Sequence, residues 1–544
     1  MEKNQIITLT INDVMSDGNG IGRFQDTAVF VPFSVTGDVL EVKILKVLKK
    51  YCFGKIERII TPSPYRIEDS SCPVFKKCGG CSFRHIDYDF EVSTKNDWIF
   101  GNMQRIGKTE MEKTIPVPSV SSERYRNKAI YPIGIDESGN IFTGFYSRRS
   151  HRLIRIDDCP LHPEFFHTIT SAFTDWANQF KVSVYDETCH KGLLRALYIR
   201  TGFGTGEVMV TIIANGTSLP HTEELIQSLK SLDLNIVSIV LNINKEDTNV
   251  LLGKKCITLF GKGCVTEKIL GNSYNISPLA FLQVNHDTCE VLYSKAIELA
   301  EPKEEDIVLD LYCGAGTIGL SIAHKVKKVI GVEIIPEAVE NAKENALLNG
   351  INNAEFICAD AVQAARQISE RNLKISTVIV DPPRKGLERS LIETISSMNP
   401  AKVVMISCDH STAARDTAIF KEFGFFAKTI KAVDMFPRTN HVETVVLLSK
   451  LQNAEHHIEV GLNLDEMDLT SAESKATYGK IQDYVKEHTG LQVSHLYIAQ
   501  VKRKNGIIER VNYNLPKSEG SRVPQCPPEK EKAIREALKY FGMI

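Results

Sequence analysis

A chain of 544 residues is longer than one hydrophobic core accommodates, so two to four domains are expected. With 43% hydrophobic and 24% charged residues the composition is that of an ordinary globular protein, and the lack of an apolar run of about 18 residues excludes a membrane-spanning helix. A formal net charge of -2 gives no general attraction for a polyanion, so any nucleic-acid surface has to be local. Residues 1–5 do not open a secretory signal, and 13 cysteines, an odd number, argue against a disulfide framework. The expectation is a cytoplasmic protein with no obligate protein partner.

In chain order, residues 1–61 alternate in short segments at 6–11, 28–33, 39–47 and 53–60, with Gly18, Gly20, Gly22 and Gly37 as punctuation, which predicts a small β-barrel. Lys43, Lys46, Lys49, Lys50, Lys55 and Arg58 are interleaved there with Tyr51 and Phe53. That mixture suits phosphate contact with base stacking, the alternative being a lysine-rich edge that discourages aggregation. Residues 62–280 read as a central α+β region. Cys72, Cys78 and Cys81 lie within ten residues of one another, and Cys159 in Cys159-Pro160 supplies a fourth thiol. Four thiolates suit zinc or an iron-sulfur cluster, and spacing alone does not separate the two. Two basic segments follow, Arg124-Tyr125-Arg126-Asn127-Lys128 and Arg148-Arg149-Ser150-His151-Arg152.

From 281 to 450 the pattern changes to strand, glycine turn, helix, strand, as in a parallel α/β sheet. The strand 307–311 runs into Tyr312-Cys313-Gly314-Ala315-Gly316, a turn that lets a ligand approach the backbone, and Glu333 ends the next strand where it can accept both ribose hydroxyls of a nucleoside cofactor. Asp360 ends the third strand, unless it is simply a helix N-cap, and Asp381-Pro382-Pro383-Arg384-Lys385-Gly386 ends the fourth. A nicotinamide-dependent oxidoreductase shares the glycine turn and Glu333 but has no use for strand-terminal Asp-Pro-Pro. A further strand, 403–406, brings Ser407-Cys408-Asp409 to the same edge. A thiolate both attacks and leaves well, and a reaction that passes through its adduct needs a base to remove a proton before the thiolate is expelled. Glu443, just before the strand 445–448, is the candidate base. Residues 451–473 read as an acid-rich linker and 474–544 as a helical appendage, with periodicity at 474–488, 493–504 and 529–541. The basic stretch around 493–510 suits a helix-turn-helix nucleic-acid reader or equally a packed cap.

Phe281-Leu282-Gln283-Val284-Asn285, Asp381 to Gly386, Ser407-Cys408 and His441-Val442-Glu443 occur in the order found in the RNA uridine-5-methyltransferase family, which the chain resembles over residues 1 to about 450. The resemblance implies a Rossmann-like class I fold and S-adenosyl-L-methionine as cofactor. It implies Cys408 as nucleophile and Glu443 as base, with Gln283, Tyr312, Gly314, Glu333, Asp360 and Asp381 around the cofactor. Asp381, Phe281, Arg126 and Lys128 are expected to meet the RNA. Residues 17–23 and 37–42 resemble the TRAM domain, an RNA-binding barrel. Cys72, Cys78, Cys81 and Cys159 are then expected to hold a structural 4Fe-4S cluster, zinc being the lesser alternative. Barrel and cysteines together resemble the branch acting on 23S rRNA more than the tRNA branch. A non-catalytic RNA-binding or ribosome-assembly protein on the same scaffold is the competing reading. One departure is visible: the family usually has Ser-Cys-Asn-Pro where this chain has Ser407-Cys408-Asp409-His410. His410 is expected to be a solvated turn residue, or else a protonated neighbour that lowers the thiol pKa.

Overall fold

The structure is a computed structural model that describes residues 1–148, 150–248, 250–371, 373–450, 478–505, 526–541 and 543. It divides into two units, Met1–Gln452 and Asn453–Ile544. In the first unit six strands form a curled sheet in the order Ile6–Thr10, Val39–Val47, Tyr51–Thr61, Thr27–Pro32, Asn19–Phe24, Asp13–Val14. Alternate residues, Ile7, Leu9, Val29, Val31, Val42 and Ile44 among them, turn inward and are buried. Two of the six strands are absent from the sequence reading, because Gly20 and Gly22 lie within Asn19–Phe24 instead of marking turns. A Cβ on Gly20 would fall 2.0 Å from Ser34 Oγ, and one on Gly22 would fall 2.3 Å from Thr10 O. These glycines therefore permit close crossing of backbone in a tightly curled sheet. Of the basic residues on this sheet, Arg58 pairs with Glu41 at 2.7 Å and Lys55 with Glu57 at 2.9 Å.

A second, seven-stranded sheet spans Lys128 to Gly261, with the helices Phe165–Gln179 and Thr222–Lys230 packed on it through Phe166, Ile169, Phe173, Leu225 and Leu229. A hairpin, Val265–Ile269 with Asn272–Ile276, leads to the helix His286–Ala300. The third sheet runs in the order Ala354–Cys358, Lys328–Glu333, Ile307–Leu311, Thr377–Val380, Lys402–Ser407, Glu443–Lys450, Phe425–Val433. The first five strands are parallel and the last two antiparallel. Helices cover both faces of a parallel sheet, which is why strands such as Ile307–Leu311 and Lys402–Ser407 are apolar almost without interruption. Strand order reverses between Ile307–Leu311 and Thr377–Val380, and that switch opens a crevice at the carboxyl ends.

One helix lies in a different layer from the one its place in the chain suggests. Tyr88–Arg105, within the stretch read as the central region, packs into the core of the third sheet through Ile99, Phe100 and Met103, beside Ala413, Ala414 and Phe420. Asp87 caps this helix by accepting from the Phe90 amide at 3.1 Å.

In the second unit the helices Tyr478–Thr489, His495–Lys504 and Pro528–Tyr540 share a small core of Ile481, Val485, Ile498, Val501, Ile534 and Leu538. Ser494 caps the second helix, and Gly490, at φ +69°, ends the first. The sequence linker at 451–473 and the basic residue Arg510 lie outside the described residues. Among the described residues no helix is long and apolar enough to cross a membrane.

Gly331 sits where the second strand of the third sheet is crossed by Phe356, and an added Cβ would lie 2.5 Å from its ring and 3.0 Å from Cys313 Sγ. Overpacking of this kind costs about 1–3 kcal/mol. Gly331→Ala is expected to lower the denaturation midpoint accordingly, as read by urea unfolding.

Candidate active site

The carboxyl ends of the five parallel strands gather the residues singled out in the sequence. After Ile307–Leu311 the chain turns through Tyr312, at φ +65°, and through Gly314 and Gly316, at +55° and +82°. A tyrosine in the left-handed region is a strained conformation, and such strain is concentrated at ligand-binding turns. Asp310 is buried at the strand end, where one carboxylate oxygen accepts from the Gly319 amide at 2.9 Å and the other has no hydrogen-bond partner among the described residues. Burial pushes its carboxyl up to about 7. Glu333 accepts from the amides of Gly314 at 3.1 Å, Ile334 at 2.8 Å and Ile335 at 3.0 Å, so its carboxylate is pinned across the mouth of the glycine turn. Asp360 caps the helix Ala361–Glu370 by accepting from Val362 and Gln363 at 3.0 and 3.4 Å, the role held open as its alternative. It also stands near enough to Tyr312 to join burial in pushing that phenol up to about 12.

The reacting groups come from the other half of the crevice. Ser407 pairs with Thr444 across the antiparallel strands Lys402–Ser407 and Glu443–Lys450, so Cys408 and Glu443 are the next opposing positions. Opposed residues of this kind have Cβ atoms about 5 Å apart. Asp381, one strand over, closes the group. Burial first, then the Asp381 charge, holds the Glu443 carboxyl well above the usual carboxylate range, against the pull of the Arg384 guanidinium. Burial pushes Asp381 up to about 7. Cys408 is pushed up to about 11 by burial and by Glu443 and Asp381, again against Arg384. The crevice therefore favours Cys408 as a thiol and Asp381 and Glu443 as a pair that resists double ionisation.

Asp409 and His410 settle the departure from the family pattern. Asp409 is the N-cap of the helix His410–Glu422, accepting from Ser411 at 2.9 Å and Thr412 at 3.0 Å. His410 is the first residue of that helix, not a solvated turn residue. Its Nδ1 lies 2.6 Å from Asn102 Nδ2, its ring stacks on Trp98 at 6.2 Å between centroids, and burial lowers its pKa. A neutral, packed imidazole does not assist the thiol, so that expectation is withdrawn as well. Two residues that the sequence reading quoted without a role belong to the site: Arg384, and His441, whose Nε2 is 3.2 Å from an Arg384 nitrogen. Their signal was adjacency to Asp381 and Glu443.

On the facing side, Asn127 binds the backbone of the Gln283 segment, its amide donating to Val284 O at 2.8 Å and its Nδ2 to Gln283 O at 2.9 Å. Phe281 is 58% exposed and carries the Lys128 ammonium 5.6 Å above its ring. Burial, with Arg200 and Arg126 nearby, pushes that ammonium down to about 7. Arg124 is instead a structural residue, clamped on Asp158 at 2.6 and 2.7 Å.

Cys72, Cys78, Cys81 and Cys159 line one cavity of about 190 Å³ together with Arg84, Arg126 and His162. The four thiols thus converge as the sequence reading requires. Among the described residues, however, no group of three or more His, Cys, Asp or Glu side chains is arranged to hold a metal ion, which leaves both the expected 4Fe-4S cluster and the zinc alternative without support from the structure.

A seven-stranded sheet with this order, a glycine turn after its central strand, an acid on the next strand and a crevice at the switch point define a class I S-adenosylmethionine-dependent methyltransferase. Residues 87–451 match the profile of the tRNA (uracil-5-)-methyltransferase family, and residues 2–56 match the TRAM domain. The chain belongs to that family. An uncharacterized RNA methyltransferase of Clostridium tetani is 41% identical over 449 residues, 82% of this chain and 97% of that protein. A second one, from Halalkalibacterium halodurans, is 38% identical over 82% of this chain and 98% of its own length. Among solved structures, the tRNA (uracil-54, C5)-methyltransferase of Pyrococcus abyssi in complex with S-adenosyl-L-homocysteine is similar at a TM-score of 0.65 and 27% identity, covering 81% of this chain and 99% of that one. The protein is a class I RNA (uracil-5-)-methyltransferase that transfers a methyl group from S-adenosyl-L-methionine to C5 of uridine.

Two measurements probe the electrostatics of the crevice. The Cys408 peptide, followed by mass spectrometry during iodoacetamide labelling, is expected to react slowly at neutral pH and to gain rate steadily up to about pH 10 without a plateau, since its thiol titrates near 11. For Asp381 the folded value of about 7 exceeds the ordinary 3.8, so the folded state binds the extra proton and stability is lost as pH rises through that window. Asp381→Asn should therefore gain stability over the parent across that window by more than about 1 kcal/mol, one pKa unit being about 1.4 kcal/mol. Urea midpoints at several pH values read the difference.

Proposed function

We propose that methylation proceeds through a covalent adduct between Cys408 and C6 of the uracil, with Glu443 as the base that completes it. The observation that carries this reading is the strand pairing that sets Cys408 against Glu443 with Asp381 beside them. The Cys408 thiol gives up its proton to solvent and adds to C6 as the thiolate, and the electron pair displaced toward C5 takes the methyl group, leaving S-adenosyl-L-homocysteine. Glu443 accepts the C5 proton. The restored C5–C6 double bond expels Cys408, and 5-methyluridine leaves. Asp381, whose carboxyl burial pushes up to about 7, is suited to hydrogen-bond the uracil edge, and Arg384 is suited to stabilise charge as the thiolate forms. Tyr312, Gly314, Glu333 and Asp360 are assigned to S-adenosyl-L-methionine by their place around the glycine turn, Gln283 to the same cofactor by the family resemblance, and Phe281, Lys128 and Arg126 to the RNA on that resemblance as well.

The substrate class better supported is transfer RNA. The family profile and the Pyrococcus abyssi enzyme both carry that name, and the latter matches 81% of this chain, close to the share made up by Met1–Gln452. A match of that extent weakens the barrel and cysteine segment as ribosomal markers. The 23S rRNA reading is kept on one observation, the convergence of the four cysteines on a single cavity. Their donor set, the apolar walls of Phe75, Phe145, Ile156 and Leu161, and an Arg126 Nε without a partner among the described residues fit an anionic cysteine-ligated cluster. Such a cluster would cross-link the segment 72–81 to Cys159, a structural service with no step of the reaction assigned to it.

Nucleoside mass spectrometry on unmodified tRNA and rRNA, each incubated with the enzyme and labelled S-adenosyl-L-methionine, is expected to show 5-methyluridine in tRNA. Its appearance in rRNA alone would reverse the substrate assignment and leave the chemistry intact. Cys408→Ala should lose turnover entirely, whereas Glu443→Gln should accumulate a protein–RNA adduct that survives denaturing electrophoresis. An active Cys408→Ala enzyme would remove the covalent mechanism.

A further inference from the structure

Glu443 is the first residue of its strand, and its Oε2 has no hydrogen-bond partner among the described residues. The carboxyl is therefore aimed by the backbone that carries it, which places the burden on the preceding loop, 434–442. Four successive carbonyls of that loop are held by donors from distant parts of the chain. Asn285 Nδ2 donates to Met435 O at 3.2 Å, Lys95 Nζ to Phe436 O at 3.2 Å and Tyr125 Oη to Pro437 O at 3.0 Å. The amides of Ser82 and Phe83 both donate to Arg438 O, at 2.8 and 3.0 Å. Ser82 directly follows Cys81, whose thiol lines the four-cysteine cavity.

Arg438 is the centre of this arrangement. Its φ is +65°, a conformation that costs an arginine about 1–2 kcal/mol and persists only where surroundings impose it. Its own amide donates to Glu91 Oε1 at 2.8 Å, its Nη1 donates to Ile86 O at 3.0 Å, and its guanidinium lies 5.3 Å from the Tyr88 ring centre. Glu91 in turn is bridged by Lys95 to Asp434 at the start of the same loop, both contacts being 2.7 Å, with all three side chains no more than 1% exposed. Burial works against the Lys95 ammonium, but the Glu91 and Asp434 carboxylates more than offset it. Removing one member of such a buried network leaves another charged group unpaired, so the network has one arrangement.

We propose that Arg438 is a positioning residue for the general base: its main chain ties the loop 434–442 to Ser82-Phe83 beside the four-cysteine cavity, its guanidinium ties the same loop to Ile86 and Tyr88, and the side-chain tie fixes where the Glu443 carboxyl lies relative to Cys408. Cys408 itself does not depend on the loop, because the strand Lys402–Ser407 and the Asp409 cap hold it. The inference rests on the reading of Glu443 as base, and it separates two halves of the reaction. Loss of Arg438 leaves adduct formation intact and slows the proton removal that resolves the adduct.

The test compares Arg438→Ala, Arg438→Lys and Tyr125→Phe with Glu443→Gln, using transcribed tRNA or rRNA, whichever accepts methyl groups. Arg438→Ala is expected to lower kcat by about 10- to 100-fold with the KM for S-adenosyl-L-methionine unchanged, and to build up a denaturation-resistant protein–RNA adduct as Glu443→Gln does. Arg438→Lys should recover part of kcat and shed the adduct. Tyr125→Phe, which deletes one hydroxyl, should show the same adduct at a lower level. It carries the test if Arg438→Ala fails to bind S-adenosyl-L-methionine by calorimetry. If Glu443→Gln accumulates adduct while Arg438→Ala and Tyr125→Phe do not, the positioning role is overturned and the base assignment stands. If Glu443→Gln gives no adduct, the base assignment falls, and the inference with it.

Discussion

The antiparallel insertion of Glu443–Lys450 between Lys402–Ser407 and Phe425–Val433 is the constraint on which the site depends. The five parallel strands alone would deliver a cysteine and an aspartate to the crevice and no opposing group. The inserted strand runs the other way, so it begins where its neighbour ends, and its first side chain meets the residue that follows that neighbour. Register is rigid here because both strands are buried on both faces, and a slip of one residue would send the base to the other side of the sheet. The two halves of the crevice are divided in the same manner: one built by glycines and main-chain amides around Glu333, the other by side chains whose charges oppose one another.

That opposition has a functional sense. A thiol and two carboxyls withdrawn from water hold back one another's ionisation in the absence of RNA, which makes Cys408 slow toward small electrophiles. Placing a polar base edge and a sulfonium cation in the crevice changes the field in the direction that favours anions. The same burial that suppresses the thiolate at rest strengthens every interaction with charge that develops during reaction. Arg384, with His441 3.2 Å away, is the fixed cation against which this balance is set.

Much of this was readable from the chain because the third sheet obeys simple rules. Uninterrupted apolar strands, turns with glycine and strand-terminal acids located Glu333, Asp381 and Cys408 without structural help. Asp409 as a cap is equally a local matter. What escaped the sequence was non-local. Gly20 and Gly22 look like turn residues until the atoms opposite them are known. His410 looked solvated because Trp98 and Asn102, which cover it, lie some three hundred residues earlier. Arg438 gave no signal at all, since neither a positive φ nor four anchored carbonyls leave a mark in residue order.

The order in which the site is completed follows from the same topology. Cys408, the helix after it and the glycine turn all precede the strand that bears Glu443 in the chain, so the crevice lacks its opposing carboxyl until that strand is made. The 35 residues from Asp409 to Glu443 take roughly 2–7 s to translate at about 5–20 residues per second, an interval in which Cys408 has no opposing carboxyl. Within the third sheet Phe425–Val433 pairs only with Glu443–Lys450, so neither of the last two strands joins the sheet until both have been made. The strand that bears Glu443 thus completes a crevice whose other parts all come earlier in the chain.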